Sequence, residues 1–171
     1  MEYRYHTASP LGEILLASDG TALTGLWFEG QRHYPAAPSG PWEEKRVAVL
    51  EQAERWLGLY FAGQEPDFTP PLAPQGTVFQ KAVWEILLTI PYGETLCYGE
   101  IAARIAARRG LAHMSAQAVG GAVGRNPISL IIPCHRVVGA DGSLTGYAGG
   151  LERKERLLAL ERRIPLRGAG R

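Results

Sequence analysis

Two short apolar segments lie in the first thirty residues, and a turn signal separates them. Residues 13–18 and 23–28 are mostly apolar, and Asp19-Gly20 between them is typical of a tight turn. This pattern predicts a β-hairpin. From residue 43 to 62 the apolar side chains instead recur every three or four positions, after acidic residues, which predicts a helix. Three aromatic residues of this helix are predicted to lie in the core: Trp56, Tyr60 and Phe61.

Prolines mark two irregular segments on either side of this helix. Residues 31–42 contain three prolines and are predicted to be a loop. Four prolines between residues 65 and 76 favour an extended connector, because proline lacks an amide donor and restricts its neighbour. The connector predicts a domain boundary, with an N-terminal domain over residues 1–76 and a C-terminal domain over 77–171.

The C-terminal domain is predicted to be mainly helical. Thr77 can cap a helix that ends at Pro91, because apolar side chains recur at helical spacing between them. Three further helices are predicted at residues 98–108, 116–124 and 151–161. The first two are joined by a glycine-containing turn, which is typical of a helix-turn-helix, and Ser115 can cap the second. The largely apolar residues 128–132 predict a short strand that leads to Cys134.

These elements define the predicted fold class, α/β (α+β). A small, strand-rich N-terminal domain with one helix is followed by a mainly helical C-terminal domain that contains the helix-turn-helix. The composition fits such a globular chain, since 46% of the 171 residues are apolar and 20% are charged. This length can bury a core in one or two small domains.

The distribution of charge separates the two halves, although the net charge is only +1. Residues 1–76 contain five basic and ten acidic side chains, whereas residues 77–171 contain thirteen basic and seven acidic ones. A basic half in a nearly neutral protein favours a polyanionic partner for that half. The alternative is an uneven distribution of charges on an ordinary solvated surface.

The cysteines and the hydropathy of the chain limit which cellular compartment and which cofactors are expected. The chain contains only Cys97 and Cys134, without the paired spacing of a zinc site, so no metal or other cofactor is expected. It shows no N-terminal apolar h-region and no run of about 18 apolar residues, so we expect neither a signal peptide nor a membrane span. A reducing cytoplasm suits a functional thiol.

The adjacent pair Cys134-His135 is the strongest candidate for chemistry. A thiol is mostly protonated at neutral pH and becomes a nucleophile only beside a base or a positive field, which His135 and Arg136 could supply. In an extended segment the two neighbours would point to opposite faces, so contact would need a turn or an intervening water. The alternative is a buried, inert cysteine, because such cysteines are common in cores.

Three glycines lie in the predicted helix before this cysteine: Gly120, Gly121 and Gly124. Each costs about 1 kcal/mol relative to alanine in a helix interior. Tight packing against another helix is one explanation, and close approach of nucleic acid is the other. Their position after a helix-turn-helix pattern, in the basic half, favours DNA.

These segments resemble the signature of the O6-alkylguanine-DNA alkyltransferases. Pro133-Cys134-His135-Arg136-Val137 is similar to the core of that signature, preceded by Val119-Gly120-Gly121-Ala122 and Asn126-Pro127. Further similar segments extend the resemblance over nearly the whole chain: residues 79–84, residues 90–93 with Tyr98, and residues 144–150 with Lys154 and Glu161. The similarity is highly specific in the second half and weak in the first.

The resemblance implies a DNA repair protein that flips a damaged nucleotide out of the duplex. It would move the alkyl group from O6 of guanine, and also from O4 of thymine, to its own cysteine, once and irreversibly. Cys134 would be the acceptor, His135 would take its proton through a water, and Glu161 would orient and charge-balance His135. Asn126 would brace the loop. Tyr98 would donate its hydroxyl to the leaving guanine and favour rotation of the nucleotide.

The remaining implied residues form two groups. The base pocket would contain Tyr98, Val137, Tyr147, Ala148 and Gly149. The DNA-binding surface would contain Tyr98, Gln117, Ala118, Gly121 and Arg125. The expected partner is double-stranded DNA that contains alkylated guanine, bound by a monomer, with cooperativity along the duplex left open; no membrane partner is expected.

The sequence also departs from the family at identifiable positions. Many members have an arginine at the position of Gln117, where it fills the space of the flipped base, and some have a side-chain hydroxyl at the position of Ala148. Some eukaryotic members bind zinc through N-terminal cysteines, but no cysteine precedes Cys97 here. Four arginines form a basic tail that either attracts phosphates or is simply solvated: Arg162, Arg163, Arg167 and Arg171.

Three hypotheses follow for function. A stoichiometric DNA alkyltransferase accounts for both the cysteine motif and the helix-turn-helix. A non-enzymatic, lesion-binding or regulatory DNA-binding protein accounts for the helix-turn-helix but not for the Cys-His pair. A thiol hydrolase accounts for Cys134 and His135 but leaves the glycine-rich helix and the basic half unexplained.

Overall fold

The computed structural model describes residues 1–162 of the chain. It contains two compact units. The first comprises residues 1–75 together with 127–129, and the second comprises residues 76–126 together with the chain from residue 130. Among the described residues, no helix combines the length and the apolar character that crossing a membrane requires.

The first unit is built on a four-stranded sheet with the strand order β3-β2-β1-β4. Its elements are β1 (Glu2–Thr7), β2 (Ile14–Ser18), β3 (Leu23–Phe28), β4 (Trp42–Glu44) and the helix α1 (Ala48–Phe61). The pairs β1–β2 and β2–β3 are antiparallel, whereas β4 runs parallel to β1. Helix α1 packs on β2 and β3, and every residue of β2 is buried.

The predicted β-hairpin is confirmed as β2 and β3. Asp19 closes its turn by accepting hydrogen bonds at 2.9 Å from the amides of Thr21 and Ala22. Gly20 occupies the left-handed region, with φ of 102°, where a side chain would be strained.

The predicted helix over residues 43–62 is wrong at its start. Residues 42–44 form the edge strand β4, paired with β1, and α1 begins only at Ala48. The pairing joins residues about forty positions apart, so local periodicity could not reveal it. Trp56 and Tyr60 are buried and stacked as expected, with ring centroids 5.2 Å apart, whereas Phe61 is only half-buried.

Two irregular segments pair with β3. In the proline-rich connector, the Leu23 amide donates to Pro71 O at 2.7 Å and the Ala73 amide donates to Leu23 O at 2.8 Å. Ile128 forms an isolated bridge with Leu26. The predicted strand over residues 128–132 is therefore wrong, because only this one bridge forms and Leu130 then turns into the left-handed region at φ of 71°.

The second unit is mainly helical, as predicted. Its helices are α2 (Val78–Leu87), α3 (Tyr98–Arg109), α4 (Ala116–Gly124) and α5 (Leu151–Arg162). A two-stranded parallel sheet joins β5 (Leu96–Cys97) to β6 (Val137–Val138), and a 3-10 turn (Cys134–Arg136) directly precedes β6. Helix α3 packs on α4, and α2 packs on both. Of the predicted basic tail, Arg163, Arg167 and Arg171 lie outside the described residues.

Local side-chain chemistry fixes the ends of these helices. Thr77 and Gln80 form a reciprocal capping box at the start of α2, with both hydrogen bonds at 3.0 Å. Ser115 caps α4 by accepting from the Ala118 amide at 3.2 Å. Gly110 ends α3 in the left-handed conformation, with φ of 66°. These signals produce the helix-turn-helix that the sequence predicts, with α3 and α4 as its two helices.

Candidate active site

Cys134 begins the 3-10 turn (Cys134–Arg136), which follows the segment predicted as a strand. Its amide donates to Ile132 O at 2.8 Å, and the Arg136 amide donates to Pro133 O at 3.0 Å. Cys134 is 4% exposed. Helices α2 and α5 both pack against this turn. Because β6 pairs with β5 in parallel register, the segment after the cysteine lies beside the start of α3, where Tyr98 stands.

His135 and Glu161 meet inside the second unit although they are 26 positions apart. His135 Nε2 lies 2.5 Å from Glu161 Oε2, and both side chains have no exposed surface. Burial alone raises the pKa of Glu161, but hydrogen bonds and charges from His135 and Arg136 outweigh it and hold this pKa at about 2. Glu161 is therefore a carboxylate at neutral pH.

The ionised carboxylate of Glu161 determines which nitrogen of His135 carries a proton. An ionised carboxylate only accepts hydrogen bonds, so a neutral His135 ring carries its proton on Nε2 and leaves Nδ1 as the basic nitrogen. Burial lowers the pKa of His135, Glu161 opposes this, and the positive charges of Arg136 and Lys154 lower it further. A neutral His135 can accept a proton from a nearby thiol.

Arg136 completes this arrangement, although the sequence indicated it only as a source of positive charge near Cys134. Its Nε donates to Glu161 Oε1 at 2.7 Å and its Nη2 lies 3.2 Å from Oε2. Its Nη1 donates to the carbonyl of Ile90 at 2.7 Å. The Gly93 amide also donates to Glu161 Oε1, at 3.2 Å. The sequence did carry a signal, the resemblance at residues 90–93 and 133–137, but not the contact between them.

Asn126 is positioned to hold the backbone just before the cysteine. Its side chain is buried and its Nδ2 donates to the carbonyl of Ile132 at 2.8 Å, two residues upstream of Cys134. A buried side-chain amide paired with a carbonyl fixes the direction of that peptide unit. This contact places Asn126 at the backbone that the resemblance implies it braces, and the role itself stays a prediction.

Tyr98 and Lys154 converge on the loop between β6 and α5. The Tyr98 hydroxyl donates to the carbonyls of Thr145 and Gly146 at 3.3 and 3.4 Å. Lys154 Nζ donates to the same two carbonyls at 2.8 and 3.3 Å. Lys154 was not among the predicted site residues, although it belongs to the resemblance.

The charges of Tyr98 and Lys154 are linked to Cys134. Burial raises the pKa of Tyr98, and the negative charge of an ionised Cys134 raises it further against a hydrogen bond with Thr145. Burial lowers the pKa of Lys154 to about 8, and the charge of Cys134 opposes that change. The thiol, the phenol and the ammonium therefore lie within electrostatic range of one another.

The other predicted pocket residues lie in β6 and in the loop that follows it. Val137 and Gly149 are buried, whereas Tyr147 and Ala148 are partly exposed. A Cβ atom added to Gly149 would lie 2.5 Å from Tyr147 Cε2, so the Tyr147 ring packs where only glycine leaves room. Arg153 supports this loop through a hydrogen bond from Nη1 to Gly149 O at 3.0 Å.

Four of the predicted DNA-binding residues lie on one exposed face formed by α4 and its C-cap residue, Arg125. Gln117, Ala118, Gly121 and Arg125 are all exposed, and their spacing repeats at helical intervals. A Cβ atom on Gly121 would have no neighbour within 4 Å. The same holds for Gly124, whereas Gly120 would contact the Tyr98 ring at 3.7 Å. Tight helix packing therefore does not explain Gly121 or Gly124, which leave α4 open to a close partner.

Titration of Lys154 is expected to appear in the stability of the protein. With a folded pKa of about 8 against an ordinary value of 10.5, the folded state binds fewer protons than the unfolded state between these values. The free energy of unfolding should therefore rise through this window, by up to about 1.4 kcal/mol per pH unit. Chemical denaturation of the wild type and Lys154→Met across this range measures it. Identical pH dependence in the two proteins would contradict a desolvated ammonium.

A helix-turn-helix unit in which a cysteine is followed by a buried histidine–carboxylate pair is the arrangement expected of a DNA-binding protein with a candidate reactive cysteine. Two family models match the chain. Residues 78–163 match the DNA binding domain of 6-O-methylguanine DNA methyltransferase, and residues 2–74 match the ribonuclease-like domain of the same family. The chain belongs to the 6-O-methylguanine DNA methyltransferase family.

Individual relatives agree over nearly the full chain. A methylated-DNA–protein-cysteine methyltransferase of Mycolicibacterium paratuberculosis is 48% identical over 95% of this chain and 93% of its own length. A Haemophilus influenzae protein of the same name is 44% identical over 94% of this chain and 86% of its own length. The crystal structure of Mycobacterium tuberculosis OGT in complex with DNA matches with a TM-score of 0.82 at 44% identity, over 95% of this chain and 94% of that one.

Proposed function

We propose that this protein repairs DNA by transferring an alkyl group from O6 of guanine in duplex DNA to Sγ of Cys134. Its family and its methylated-DNA–protein-cysteine methyltransferase relatives establish alkyl transfer from DNA to a protein cysteine as the reaction class. One observation carries the assignment to Cys134: the residue next to it, His135, forms a buried pair with the carboxylate of Glu161. This pair supplies the base that a thiol needs.

The first step is removal of the thiol proton. His135 Nε2 faces Glu161, so Nδ1 is the nitrogen that receives the proton, through a water as the family resemblance implies. Glu161 stabilises the imidazolium that forms, as carboxylates do in other base-assisted nucleophiles. Asn126 keeps the backbone before Cys134 in place through Ile132.

The second step breaks the bond between the alkyl carbon and O6. The thiolate sulfur donates its electron pair to the carbon, and the bonding pair leaves with the guanine as its O6 anion. Tyr98 donates its proton to this anion, after exchanging its contacts with the carbonyls of Thr145 and Gly146 for the base. The thioether product has no route back to a thiol, so each molecule acts once.

Access to the base requires that the nucleotide leave the duplex. The open face of α4, with Gly121 at its centre, is proposed to lie against the duplex, and Arg125 pairs with a phosphate. The extruded base then enters a pocket formed by Val137, Tyr147, Ala148 and Gly149, which also admits alkylated O4 of thymine. Unstacking costs a few kcal/mol, less for a poorly paired lesion.

Two other proposals concern the state of the protein. A thiol acceptor that reacts once must stay reduced until it meets DNA, which favours the cytoplasm. Every catalytic residue proposed here lies in the second unit of one chain, so a monomer is sufficient for the reaction.

The decisive experiment is incubation of the protein with duplex DNA that contains one O6-methylguanine, followed by intact-mass and peptide-mass measurement. The expected result is one added methyl group per protein, located on Cys134. Specific binding to the lesion with no added mass would favour the non-enzymatic DNA-binding protein, and repeated turnover of an ester or peptide would favour the thiol hydrolase.

Gln117 provides a test of the DNA face. If this position supports extrusion of the nucleotide, Gln117→Arg should speed transfer from duplex DNA, because a planar cation can fill the vacated stack better than a neutral amide. We expect an increase of roughly tenfold, about 1.4 kcal/mol, with duplex DNA and almost none with free O6-benzylguanine. Single-turnover rates on both substrates measure this. An equal change on both would exclude a role in extrusion.

A further inference from the structure

We propose that Arg136 is a positioning residue of the transfer reaction, which holds both oxygens of Glu161 and thereby keeps His135 a neutral base until Cys134 reacts. This inference rests on the proposed function. Arg136 is 8% exposed, although it carries a permanent charge. A buried guanidinium needs hydrogen-bond partners, and those of Arg136 lie at Glu161 and at Ile90, in the turn over residues 90–93.

The guanidinium of Arg136 donates hydrogen bonds to two parts of the protein, the Glu161 carboxylate and the backbone carbonyl of Ile90. Nε and Nη2 form a fork onto the two oxygens of Glu161, at 2.7 and 3.2 Å. Nη1 points away from this fork and donates to Ile90 O at 2.7 Å. The guanidinium carbon also lies 5.7 Å from the centre of the Tyr92 ring. One side chain therefore ties the carboxylate to the turn over residues 90–93.

The turn over residues 90–93 also contacts the Glu161 carboxylate directly. The Gly93 amide donates to Glu161 Oε1, the oxygen that also accepts from Arg136 Nε. His135 lies on the other oxygen, Oε2, together with Nη2 of Arg136. Rotation of the carboxylate would break all of these contacts at once, so the direction of His135 Nε2 is fixed by Arg136 as well as by Glu161.

The charges around His135 give Arg136 its second effect. Glu161 and Lys154 face His135 from α5, Cys134 and Arg136 face it from the 3-10 turn, and Tyr92 borders Arg136 from the turn after α2. Glu161 lies in the last turn of α5, where the helix dipole adds to its negative potential. Without Arg136, this negative potential would act on His135 almost alone.

Loss of Arg136 would therefore favour the imidazolium form of His135. An imidazolium has no lone pair with which to take the Cys134 proton, so the reactive protonation state would require a higher pH. The charges of Arg136 and Glu161 nearly cancel. The pair can therefore hold His135 through a hydrogen bond without raising its pKa enough to protonate it before Cys134 reacts. A merely structural arginine would affect the rate equally at every pH.

The test uses Arg136→Gln, Arg136→Lys and a matched control, Arg156→Gln, which alters an exposed arginine of α5 that pairs with Glu152. Transfer to Cys134 from free O6-benzylguanine is measured from about pH 5 to pH 9, the range in which histidine titrates. NMR titration of the His135 ring nitrogens, which does not depend on transfer, accompanies it. Thermal unfolding establishes that each variant is folded.

In Arg136→Gln, the pH midpoint below which the transfer rate falls should move to higher pH by about one unit. At low pH, the rate as a fraction of its high-pH plateau should therefore be about tenfold lower than in the wild type. The ring nitrogens should move in the same direction. Arg136→Lys keeps the charge, so its midpoint should stay near the wild type while its plateau falls, because an ammonium cannot reproduce the fork. Arg156→Gln should match the wild type.

An unmoved midpoint in Arg136→Gln, with unmoved ring-nitrogen titration, would overturn the inference. If Arg136→Gln does not fold, Arg136→Met, which keeps the apolar stem and removes the charge, decides: a midpoint at higher pH supports the inference, and a lowered rate at an unchanged midpoint overturns it. Absence of any transfer by the wild type would instead refute the proposed function, and the NMR titration would still report on Arg136 and His135.

Discussion

Cys134→Ser is expected to abolish alkyl transfer while preserving the fold. Serine has nearly the same size, and Cys134 occupies a buried turn held by backbone hydrogen bonds, so the structure should tolerate the change. A hydroxyl is a far weaker acid than a thiol, and a neutral imidazole cannot ionise it to a useful extent. The rate should fall roughly a thousandfold or more, equivalent to about 4 kcal/mol of activation free energy.

The second cysteine of the chain supplies the matched control. Cys97 caps α3 and is partly exposed, and serine is a favourable residue at the start of a helix. Cys97→Ser should therefore accept one methyl group from O6-methylguanine DNA as the wild type does. Mass spectrometry of both variants after incubation measures the difference. Transfer that survives in Cys134→Ser and disappears in Cys97→Ser would transfer the role of acceptor to Cys97.

The parts of the fold that local chemistry specifies could be predicted from the sequence. Thr77 and Ser115 satisfy amides that lie within three residues of them, so each start of a helix is readable without knowing the rest of the chain. Asp19-Gly20 likewise specifies its own turn, and Gly110 its own helix end. Such features depend on neighbours in sequence, which is why the hairpin and the helix-turn-helix agree with the structure.

Features that depend on distant partners could not be predicted in the same way. Strand β4 exists because residues 42–44 pair with β1, at positions about forty residues away in the sequence. The contact of Arg136 with Ile90 spans 46 positions, and nothing in the local pattern favours it. The pairing of His135 with Glu161 was expected from the family resemblance alone, since no spacing rule connects residues 26 positions apart.

Glu161→Gln is expected to slow transfer about a hundredfold with both duplex DNA and free O6-benzylguanine. The amide keeps the shape but cannot stabilise an imidazolium, so proton transfer from Cys134 to His135 becomes less favourable. It also leaves Arg136 buried without its carboxylate, which should reduce the free energy of unfolding by about 3 kcal/mol. Single-turnover rates and chemical denaturation measure the two effects.

The control for this change is Glu152→Gln, at the other end of the same helix. Glu152 is exposed and pairs only loosely with Arg156, at 3.7 Å, so both its rates and its stability should remain near the wild type. Because Glu161 acts on the thiol and not on the duplex, its effect must be the same on both substrates. An unchanged rate with the free base in Glu161→Gln would exclude a role for Glu161 in proton transfer from Cys134 to His135, whatever happens with duplex DNA.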